Sequence, residues 1–339
     1  MQALYITEPG RTALRDLDEP RPNANEVLLR TRLIGFCGTD LSTFRGKNPL
    51  VSYPRIPGHE IAATVVETGS KVPPKIRGGM DVTVYPNTSC GTCASCLRGR
   101  TNACKFNQTL GVQRDGALAG YFTVPWKKLY HASDLSLREL SVVEPLAVGF
   151  HATERGRVAS KDIVAVIGCG MVGLGVIASA ASRGAIVVAI DLDDKKLVLA
   201  ARSGAHHVVN SKSAPVHESL ESLTNGLGPD VIVEAVGVPD TYRLAVEEVA
   251  HTGRVVYIGW AKEPISFDTK HFVHKELDIL GSRNYLGEFP AVIELLRKKQ
   301  FPVEETISRT VPMSEAGEAL KNWCDAPQAF TKILVDLDA

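Results

Sequence analysis

The sequence predicts an α/β protein in which a doubly wound parallel sheet is combined with a second, β-rich domain. Three observations support this prediction: the length of the chain, the alternation of apolar strands and helices in its second half, and the short β segments in its first half. With 339 residues the chain is about twice as long as a usual domain. Hydrophobic residues make up 44% and charged residues 22%, which excludes a disordered or collagen-like chain.

The charges of the chain balance, with 38 Lys plus Arg and 38 Asp plus Glu. We therefore expect no general attraction to nucleic acid or to an anionic membrane, and neither is predicted as a partner. The N-terminal segment lacks the apolar region of a secretory signal, so the expected location is the cytoplasm. The uncharged run 163–182 is long enough to span a bilayer, but its glycines and β-branched start favour a buried strand followed by a packed helix.

The first part of the chain predicts a β-rich domain with little helix. Short β segments at 27–34, 61–66 and 82–85 are separated by loops that contain Pro and Gly, including Pro54 and Pro57. A helix at 290–299 and a final strand at 330–337 continue this domain at the other end of the chain. We therefore expect residues 1–148 and 287–339 to form one domain, into which a second domain of residues 149–286 is inserted.

The second part of the chain alternates strands and helices. Near-continuous apolar runs, rich in β-branched residues, occur at 162–168, 185–191, 206–210, 229–237, 253–259 and 277–282, and the first of them precedes a predicted helix at 171–183. Apolar strands joined by crossover helices are typical of a parallel sheet that is covered on both faces. The order predicts a Rossmann domain.

The first strand of that domain ends in a glycine-rich turn, with Gly168, Gly170 and Gly173 in G-x-G-x-x-G register and Met171 and Val172 between them. Because the turn follows a strand and opens a helix, it predicts a dinucleotide site, with the pyrophosphate at the helix N-terminus.

Asp191 ends the second strand, where a carboxylate is expected to bind the adenosine ribose. It would repel a 2′-phosphate, so NAD is favoured over NADP; the alternative is that Asp191 caps the next helix. Lys196 is a candidate to flank the adenine, or a solvated helix residue.

Four of the seven cysteines form a C-x2-C-x2-C-x7-C cluster, namely Cys90, Cys93, Cys96 and Cys104. In a chain without a secretory signal, this spacing favours a metal site over disulfides, and four thiolates suit a closed, structural Zn²⁺ site. An iron–sulfur cluster and four unligated thiols are the alternatives. No Pro follows the last cysteine and no second cluster motif occurs, so zinc is favoured.

Three further residues supply different metal-binding groups from distant positions. Cys37 follows a strand, His59 precedes one, and Glu144 lies near the end of the first domain. Each has an ordinary structural explanation when taken alone. Together, a thiolate, an imidazole and a carboxylate are able to hold a catalytic zinc with one position open, although their spacing does not establish that they meet.

The chain resembles the zinc-containing medium-chain dehydrogenase family, which includes sorbitol, threonine and alcohol dehydrogenases. The resemblance covers essentially the whole length and is carried by the four-cysteine cluster and by GFCGTD (35–40), PGHE (57–60), EPLAVGFHA (144–152) and GCGMVG (168–173). It implies a GroES-like catalytic domain, a homodimer or homotetramer, and a catalytic zinc held by Cys37, His59 and either Glu60 or Glu144. It also implies that Thr39 begins the proton path.

The expected reaction is hydride transfer from a secondary alcohol to NAD, because zinc acidifies a hydroxyl in its open position and the nicotinamide accepts the hydride. Many relatives have His three residues after the threonine, whereas this chain has Ser42, so water, Ser42 or the ribose hydroxyls are left as proton carriers. The alternative for Thr39 is a helix-capping role.

The substrate class predicted from the resemblance is a polyol or a sugar acid. The GSRN segment at 281–284 resembles the L-galactonate and L-gulonate 5-dehydrogenases, which act on hexonates. Arg283 is a candidate to bind a substrate carboxylate, with Asn284 beside it, although Arg283 would equally suit the cofactor or a backbone carbonyl. Phe36 and Tyr53 are candidates to line the pocket, or core residues.

Two other functions fit parts of the sequence. A zinc-free quinone or enone reductase of the same superfamily would keep the glycine turn but would have no reason to carry the metal-binding residues. A non-catalytic regulator that binds zinc and NAD is the second alternative, which the missing imidazole relay favours.

Overall fold

The computed structural model describes all 339 residues, which form two compact units. The β-rich unit contains Met1–Glu144, Phe289–Lys298 and Val303–Ala339, and the doubly wound unit contains Pro145–Glu288 and Lys299–Pro302. Because the β-rich unit is interrupted along the chain, the predicted insertion of a Rossmann domain into a β-rich domain is confirmed.

The first part of the β-rich unit consists of strands, with short helices between some of them. Its strands are β1 (Gln2–Glu8), β2 (Arg11–Asp16), β3 (Glu26–Gly35), β4 (Glu60–Thr68), β5 (Asp81–Val84), β6 (Tyr121–Pro125) and β7 (Leu129–His131), and its helices are α1 (Gly38–Phe44), α2 (Ala94–Leu97) and α3 (Leu137–Ser141). The helix α3 begins with a capping box, in which Ser136 and Glu139 satisfy each other's backbone N–H groups.

Six strands and six helices alternate in the next part of the chain. They are α4 (Val143–Arg155), β8 (Ile163–Ile167), α5 (Met171–Ser182), β9 (Ile186–Asp191), α6 (Asp194–Arg202), β10 (His207–Asn210), α7 (Val216–Thr224), β11 (Val231–Glu234), α8 (Pro239–Glu248), β12 (Arg254–Tyr257), α9 (Lys270–His274) and β13 (Asp278–Gly281). The strands form one parallel sheet in the order β10-β9-β8-β11-β12-β13. This is the strand order of a dinucleotide-binding doubly wound fold.

The uncharged run 163–182 is divided between β8 and α5, with the glycine turn between them. The central strands are apolar because helices cover both faces of the sheet, and Val164, Val187 and Ile232 are fully buried. None of the helices has the length and apolar character that a membrane span requires.

The last part of the chain adds α10 (Phe289–Arg297), α11 (Val303–Thr306), β14 (Ile307–Pro312), α12 (Ala316–Asp325) and β15 (Lys332–Asp336). The strands β14 and β15 join the main sheet of the β-rich unit, whose order is β14-β15-β3-β4-β5-β7, with β6 also paired to β3. Strand β3 thus lies between β15 and β4, and the end of β3 at Gly35 is paired with the start of β4 at Glu60. This pairing brings the segments that follow β3 and precede β4 to the same end of the sheet.

Candidate functional site

The four cysteines predicted to bind zinc lie together. All four thiols are free, and their sulfur atoms lie within 4.8 Å of one another. The Sγ atoms of Cys90 and Cys96 are 4.0 Å apart, and those of Cys93 and Cys104 are 3.8 Å apart. Four sulfurs at about 2.3 Å from a tetrahedral ion are about 3.8 Å apart, so the group fits a single Zn²⁺ ion.

Hydrogen bonds within this lobe favour the thiolate forms of Cys90 and Cys93, whereas burial raises the pKa of Cys96 to about 11. The amides of Thr92 and Cys93 point at Cys90 Sγ, at 3.4 and 3.3 Å. The Ser95 hydroxyl is the main cause that lowers the pKa of Cys93 to about 5. Gly91 has φ +74°, a conformation that side chains rarely adopt, and it bends the chain between the first two cysteines. The local sequence therefore holds the four sulfur atoms close together.

Cys37 and His59 meet although 21 residues separate them in the chain. Cys37 is the N-cap of α1, where its amide donates to Asp40 Oδ2 at 2.9 Å, and His59 directly precedes β4. The Cys37 thiol lies close enough to the His59 imidazole to raise its pKa. Its Nδ1 lies 3.9 Å from Asp40 Oδ1, and both atoms are buried without a hydrogen-bond partner. Unpaired buried atoms of this kind, beside a thiol, fit a bound cation.

The charges around His59 are negative. Burial lowers the pKa of His59, but Asp40, then Cys37 and then Glu144 raise it, and the net result lies well above the usual value. The surroundings therefore stabilise a positive charge at this position, whether it is carried by a proton or by a metal ion.

The two candidate glutamates differ in their partners. Glu60 is fully buried and forms an ion pair with Lys332, the first residue of β15, whose ammonium also donates to the carbonyl of Phe36 at 2.9 Å. Glycine at position 35 is required here, since a Cβ would lie 2.1 Å from Glu60 Oε2. Glu144, in the first turn of α4, is 93% buried and acts on His59 through its charge.

The residues near the proposed proton path lie on or next to α1. Thr39 is inside the helix, whose N-cap is Cys37, so the capping alternative for Thr39 is wrong. Ser42 follows one turn later and is half-buried. The Tyr53 hydroxyl donates to the carbonyl of Thr43 at 2.5 Å, and Phe36 lies fully buried in the hydrophobic core.

The glycine turn has the geometry that a pyrophosphate site needs. Gly168 has φ +95°, and a Cβ on Gly173 would lie 1.8 Å from the carbonyl oxygen of Gly168. Gly170 is the N-cap of α5, and a Cβ there would meet no atom within 4 Å. The first and third glycines are thus required by the fold, whereas the second borders open space beside the helix N-terminus, where Met171 and Val172 begin the helix. That arrangement fits an anion.

Asp191 is oriented by three amides. Its Oδ2 accepts from Cys169 N at 2.7 Å, and its Oδ1 accepts from Leu192 N at 2.7 Å and Asp193 N at 3.1 Å. The N-cap of α6 is Asp193, so the alternative that Asp191 caps this helix is wrong. A carboxylate fixed beside the glycine turn fits a ribose hydroxyl.

Lys196 lies in the first turns of α6, and its charge acts on Cys169 in the glycine turn.

The GSRN segment lies after β13, with Arg283 exposed and Asn284 at φ +50°. Behind it, Tyr285 is fully buried, and Glu288 Oε1 is 2.7 Å from Nδ1 of the buried His151. The segment is therefore attached to α4 of the same unit.

Sequence reasoning missed the roles of Asp40, Lys332 and Glu234. Asp40 lies three residues after Cys37, at the third helical position where an acidic side chain closes a capping box, and this spacing is a usable signal. Lys332 is a lysine in an otherwise apolar final strand, which indicates a buried partner. Glu234 likewise ends an apolar strand and is fully buried.

The comparisons with known proteins identify the family of the chain. The alcohol dehydrogenase GroES-like domain matches residues 23–134, and the zinc-binding dehydrogenase family matches residues 171–298. An uncharacterized zinc-type alcohol dehydrogenase-like protein of Haemophilus influenzae is 30% identical over 334 residues, 98% of each chain. L-galactonate-5-dehydrogenase of Escherichia coli K12 is 29% identical and is aligned over 94% of each chain.

Two solved structures have the same fold along almost the entire chain. RspB of E. coli CFT073, solved with NADH, has a TM-score of 0.91 at 29% identity and covers 99% of each chain. A zinc-binding dehydrogenase of Sinorhizobium meliloti 1021, solved with NADP, has a TM-score of 0.92 at 29% identity and covers 99% of this chain and 98% of its own. The chain belongs to the medium-chain, zinc-type alcohol dehydrogenase family.

Proposed function

We propose that this protein is an NAD-dependent zinc dehydrogenase that oxidises a secondary alcohol of a polyol or sugar acid, with a hexonate oxidised at C5 as the most specific form of the proposal. The observation that carries it is the buried, negatively charged surroundings of His59, whose Nδ1 has no hydrogen-bond partner and lies 3.9 Å from the equally unpartnered Asp40 Oδ1. The proposal assigns one catalytic and one structural zinc ion. It also assigns a cytoplasmic location and a homodimer or homotetramer.

The catalytic ion would be held by Cys37, His59 and Glu144. The ion pair of Glu60 with Lys332 favours Glu144 as the resting ligand, because Glu60 would have to leave a buried ammonium in order to bind a second cation. When bound, zinc supplies Lewis-acid chemistry that makes a substrate hydroxyl more acidic, and the dinucleotide accepts the hydride.

The proton that leaves the substrate would be accepted at the Thr39 hydroxyl. Thr39 and Ser42 are three residues apart on α1 and share one face of the helix, so Ser42 would pass the proton onward. This hydroxyl pair takes the place of the imidazole that many relatives have.

NAD is the proposed cofactor because Asp191 presents a fixed carboxylate where NADP carries a phosphate. The S. meliloti relative was solved with NADP, so the choice of cofactor needs its own measurement. The kcat/KM for NAD is expected to exceed that for NADP by at least about tenfold, since each 1.4 kcal/mol of charge repulsion gives that factor. A preference for NADP would contradict the role of Asp191.

The substrate class is tested by screening polyols, aldonates, threonine and simple alcohols with NAD, following NADH formation at 340 nm before and after a chelator. Turnover that the chelator abolishes and zinc restores is expected. Turnover that survives removal of all metal would favour the zinc-free reductase, and NADH binding without any turnover would favour the regulator.

Arg283 is the proposed carboxylate-binding residue for a sugar acid. The similarity to L-galactonate-5-dehydrogenase of E. coli supports sugar acids as the substrate class. Arg283→Ala is expected to raise the KM for an aldonate at least about tenfold and to leave the KM for the matching polyol unchanged, because only the acid carries a carboxylate. Arg157→Ala, which removes an exposed arginine of the same unit, is the control. Equal effects of Arg283→Ala on acid and polyol would refute the carboxylate role.

A further inference from the structure

A buried carboxyl group lies at the end of β11, outside the residues assigned to the proposed reaction. Glu234 has no solvent-exposed surface. Its Oε1 accepts three hydrogen bonds, from Val236 N at 2.8 Å, Gly237 N at 2.7 Å and Thr241 Oγ1 at 2.8 Å. The side chain therefore closes the turn after β11 and attaches it to the first turn of α8.

The same residue holds the turn after β12. The carbonyl oxygen of Glu234 accepts from Ile258 N at 2.9 Å and from Gly259 N at 3.1 Å. A Cβ on Gly259 would lie 2.5 Å from Glu234 Oε2, and a Cβ on Gly237 would lie 2.9 Å from Trp260 N. The two turns are thus packed against each other with no space for a side chain between them.

Two tyrosines fix the β12 turn from the other side. The rings of Tyr242, on α8, and Tyr257, on β12, are stacked with centroids 4.0 Å apart and an interplanar angle of 7°. The Tyr242 hydroxyl donates to the carbonyl of Gly259, and the Tyr257 hydroxyl donates to the carbonyl of Tyr242 at 2.8 Å. We call Glu234, Thr241, Tyr242 and Tyr257 the Glu234 network.

The turn after β11 also contacts the glycine turn. A Cβ on Gly168 would lie 2.6 Å from Val236 Cγ2, and Ala235 N donates to the carbonyl of Ile167 at 2.9 Å. Two large apolar side chains on the turns that the network fixes are exposed, Val236 by 48% and Trp260 by 65%. Exposed apolar side chains beside a ligand-binding turn are typical of a binding surface.

The order of the strands assigns a ligand to this surface. Asp191, proposed for the adenosine ribose, ends β9, and the glycine turn, proposed for the pyrophosphate, follows β8. β11 and β12 lie on the side of β8 opposite to β9. A dinucleotide that extends from β9 across β8 must therefore place its second nucleoside over the turns that follow β11 and β12.

We propose that Glu234 is a positioning residue that fixes the turns after β11 and β12 in one arrangement, so that Val236 and Trp260 form a wall for the nicotinamide nucleoside. This inference rests on the proposed function, because it requires that the chain binds a nicotinamide dinucleotide. Glu234 does not touch the cofactor itself; it acts through the backbone of the two turns.

The test compares two ligands on the full-length protein. NADH has both nucleosides, whereas ADP-ribose has the adenosine half and the pyrophosphate without the nicotinamide. Glu234→Ala is expected to raise the Kd for NADH about tenfold, measured by calorimetry and by energy transfer from tryptophan to NADH, and to leave the Kd for ADP-ribose unchanged. Glu234→Gln keeps an oxygen acceptor for the three donors and is expected to restore NADH affinity to within about threefold of wild type.

Two further variants keep the test decisive. Thr241→Val removes one of the three donors and keeps the shape of the side chain, so it should weaken NADH binding about threefold to fivefold if Glu234→Ala does not fold. Thr224→Val removes a buried hydrogen bond to Gly228 N in the same unit, in the segment that precedes β11. It should lower the melting temperature without changing either Kd.

Two results would overturn the inference. One is an unchanged Kd for NADH in both Glu234→Ala and Thr241→Val. The other is an equal loss of NADH and ADP-ribose binding, which would show that Glu234 only stabilises the unit as a whole. A wild-type protein that binds neither ligand would instead refute the proposed function, so the two failures are distinguishable.

Discussion

The two proposed metal sites of the β-rich unit are built in opposite ways. The four cysteines lie within 15 consecutive residues, and amides and hydroxyls of the same segment surround their sulfur atoms. The cluster around Cys37 and His59 is assembled from distant segments, with an ion pair from Lys332 packed behind it. The first site is thus determined by local sequence, whereas the second exists only when the whole sheet has formed.

This difference predicts different consequences of losing a ligand. Cys37→Ala should lower kcat/KM at least about a thousandfold, because the lost Lewis acid supplies several kcal/mol of transition-state stabilisation. Its zinc content should fall by one ion, while its melting temperature should change by only a few degrees. Cys324→Ala, which removes a thiol of the same unit outside both clusters, is the control. Wild-type turnover in Cys37→Ala would contradict the catalytic assignment.

Cys93→Ala should have the opposite effects, with a large fall in melting temperature and little change in kcat. Removing one thiolate of a structural site lowers stability through loss of metal binding, so we expect the melting temperature to fall by about 10 °C or more. Protein that remains folded should retain most of its kcat and should contain one zinc ion less than wild type. The structural role of the four-cysteine site would be refuted if Cys93→Ala abolished turnover at a temperature where circular dichroism shows the variant to be fully folded.

The structural features that could be predicted from the sequence are those determined by a short segment or by a continuous apolar run. All six strands of the parallel sheet were expected, because strand segments that are fully buried, such as 164–166 and 187–189, tolerate few polar residues. The four-cysteine cluster was predicted for a related reason, since its spacing alone brings the thiols together.

Features that depend on long-range pairing could not be predicted in the same way. The pairing of β3 with β4 is needed to bring Cys37 near His59, and the partner of Glu60 comes from a strand more than 250 residues later. The strand β1 and the helix α12 were not expected either, since their apolar residues become informative only once the sheet they cover is known. Burial of a charge is a tertiary property, and for this reason Lys332 and Glu234 gave only weak signals.

The long-range origin of the proposed catalytic cluster is tested by Lys332→Met. The substitution leaves the buried Glu60 without its counter-charge, and breaking a buried pair in this way costs about 3 kcal/mol of unfolding free energy or more. Glu60→Gln combined with Lys332→Met should recover part of that loss, measured by urea unfolding. Lys128→Met removes a half-buried lysine that donates to the carbonyl of Asn87 and lies over the Tyr85 ring but pairs with no carboxylate, so it should cost clearly less. Equal costs for the two single variants would contradict a stabilising ion pair.

The contrast between residues needed for the fold and residues needed for binding is sharpest within the glycine turn. Gly170 has φ −72° and borders open space, so Gly170→Ala should leave the melting temperature within about 2 °C of wild type. The added methyl group would occupy the space proposed for the pyrophosphate, and the Kd for NADH should rise about tenfold. Gly173→Ala, in contrast, would place a Cβ 1.8 Å from a backbone oxygen and should lower the melting temperature strongly even without cofactor. If Gly170→Ala bound NADH as tightly as wild type while remaining folded, the pyrophosphate would have to lie elsewhere, and the assignment of this turn would be lost.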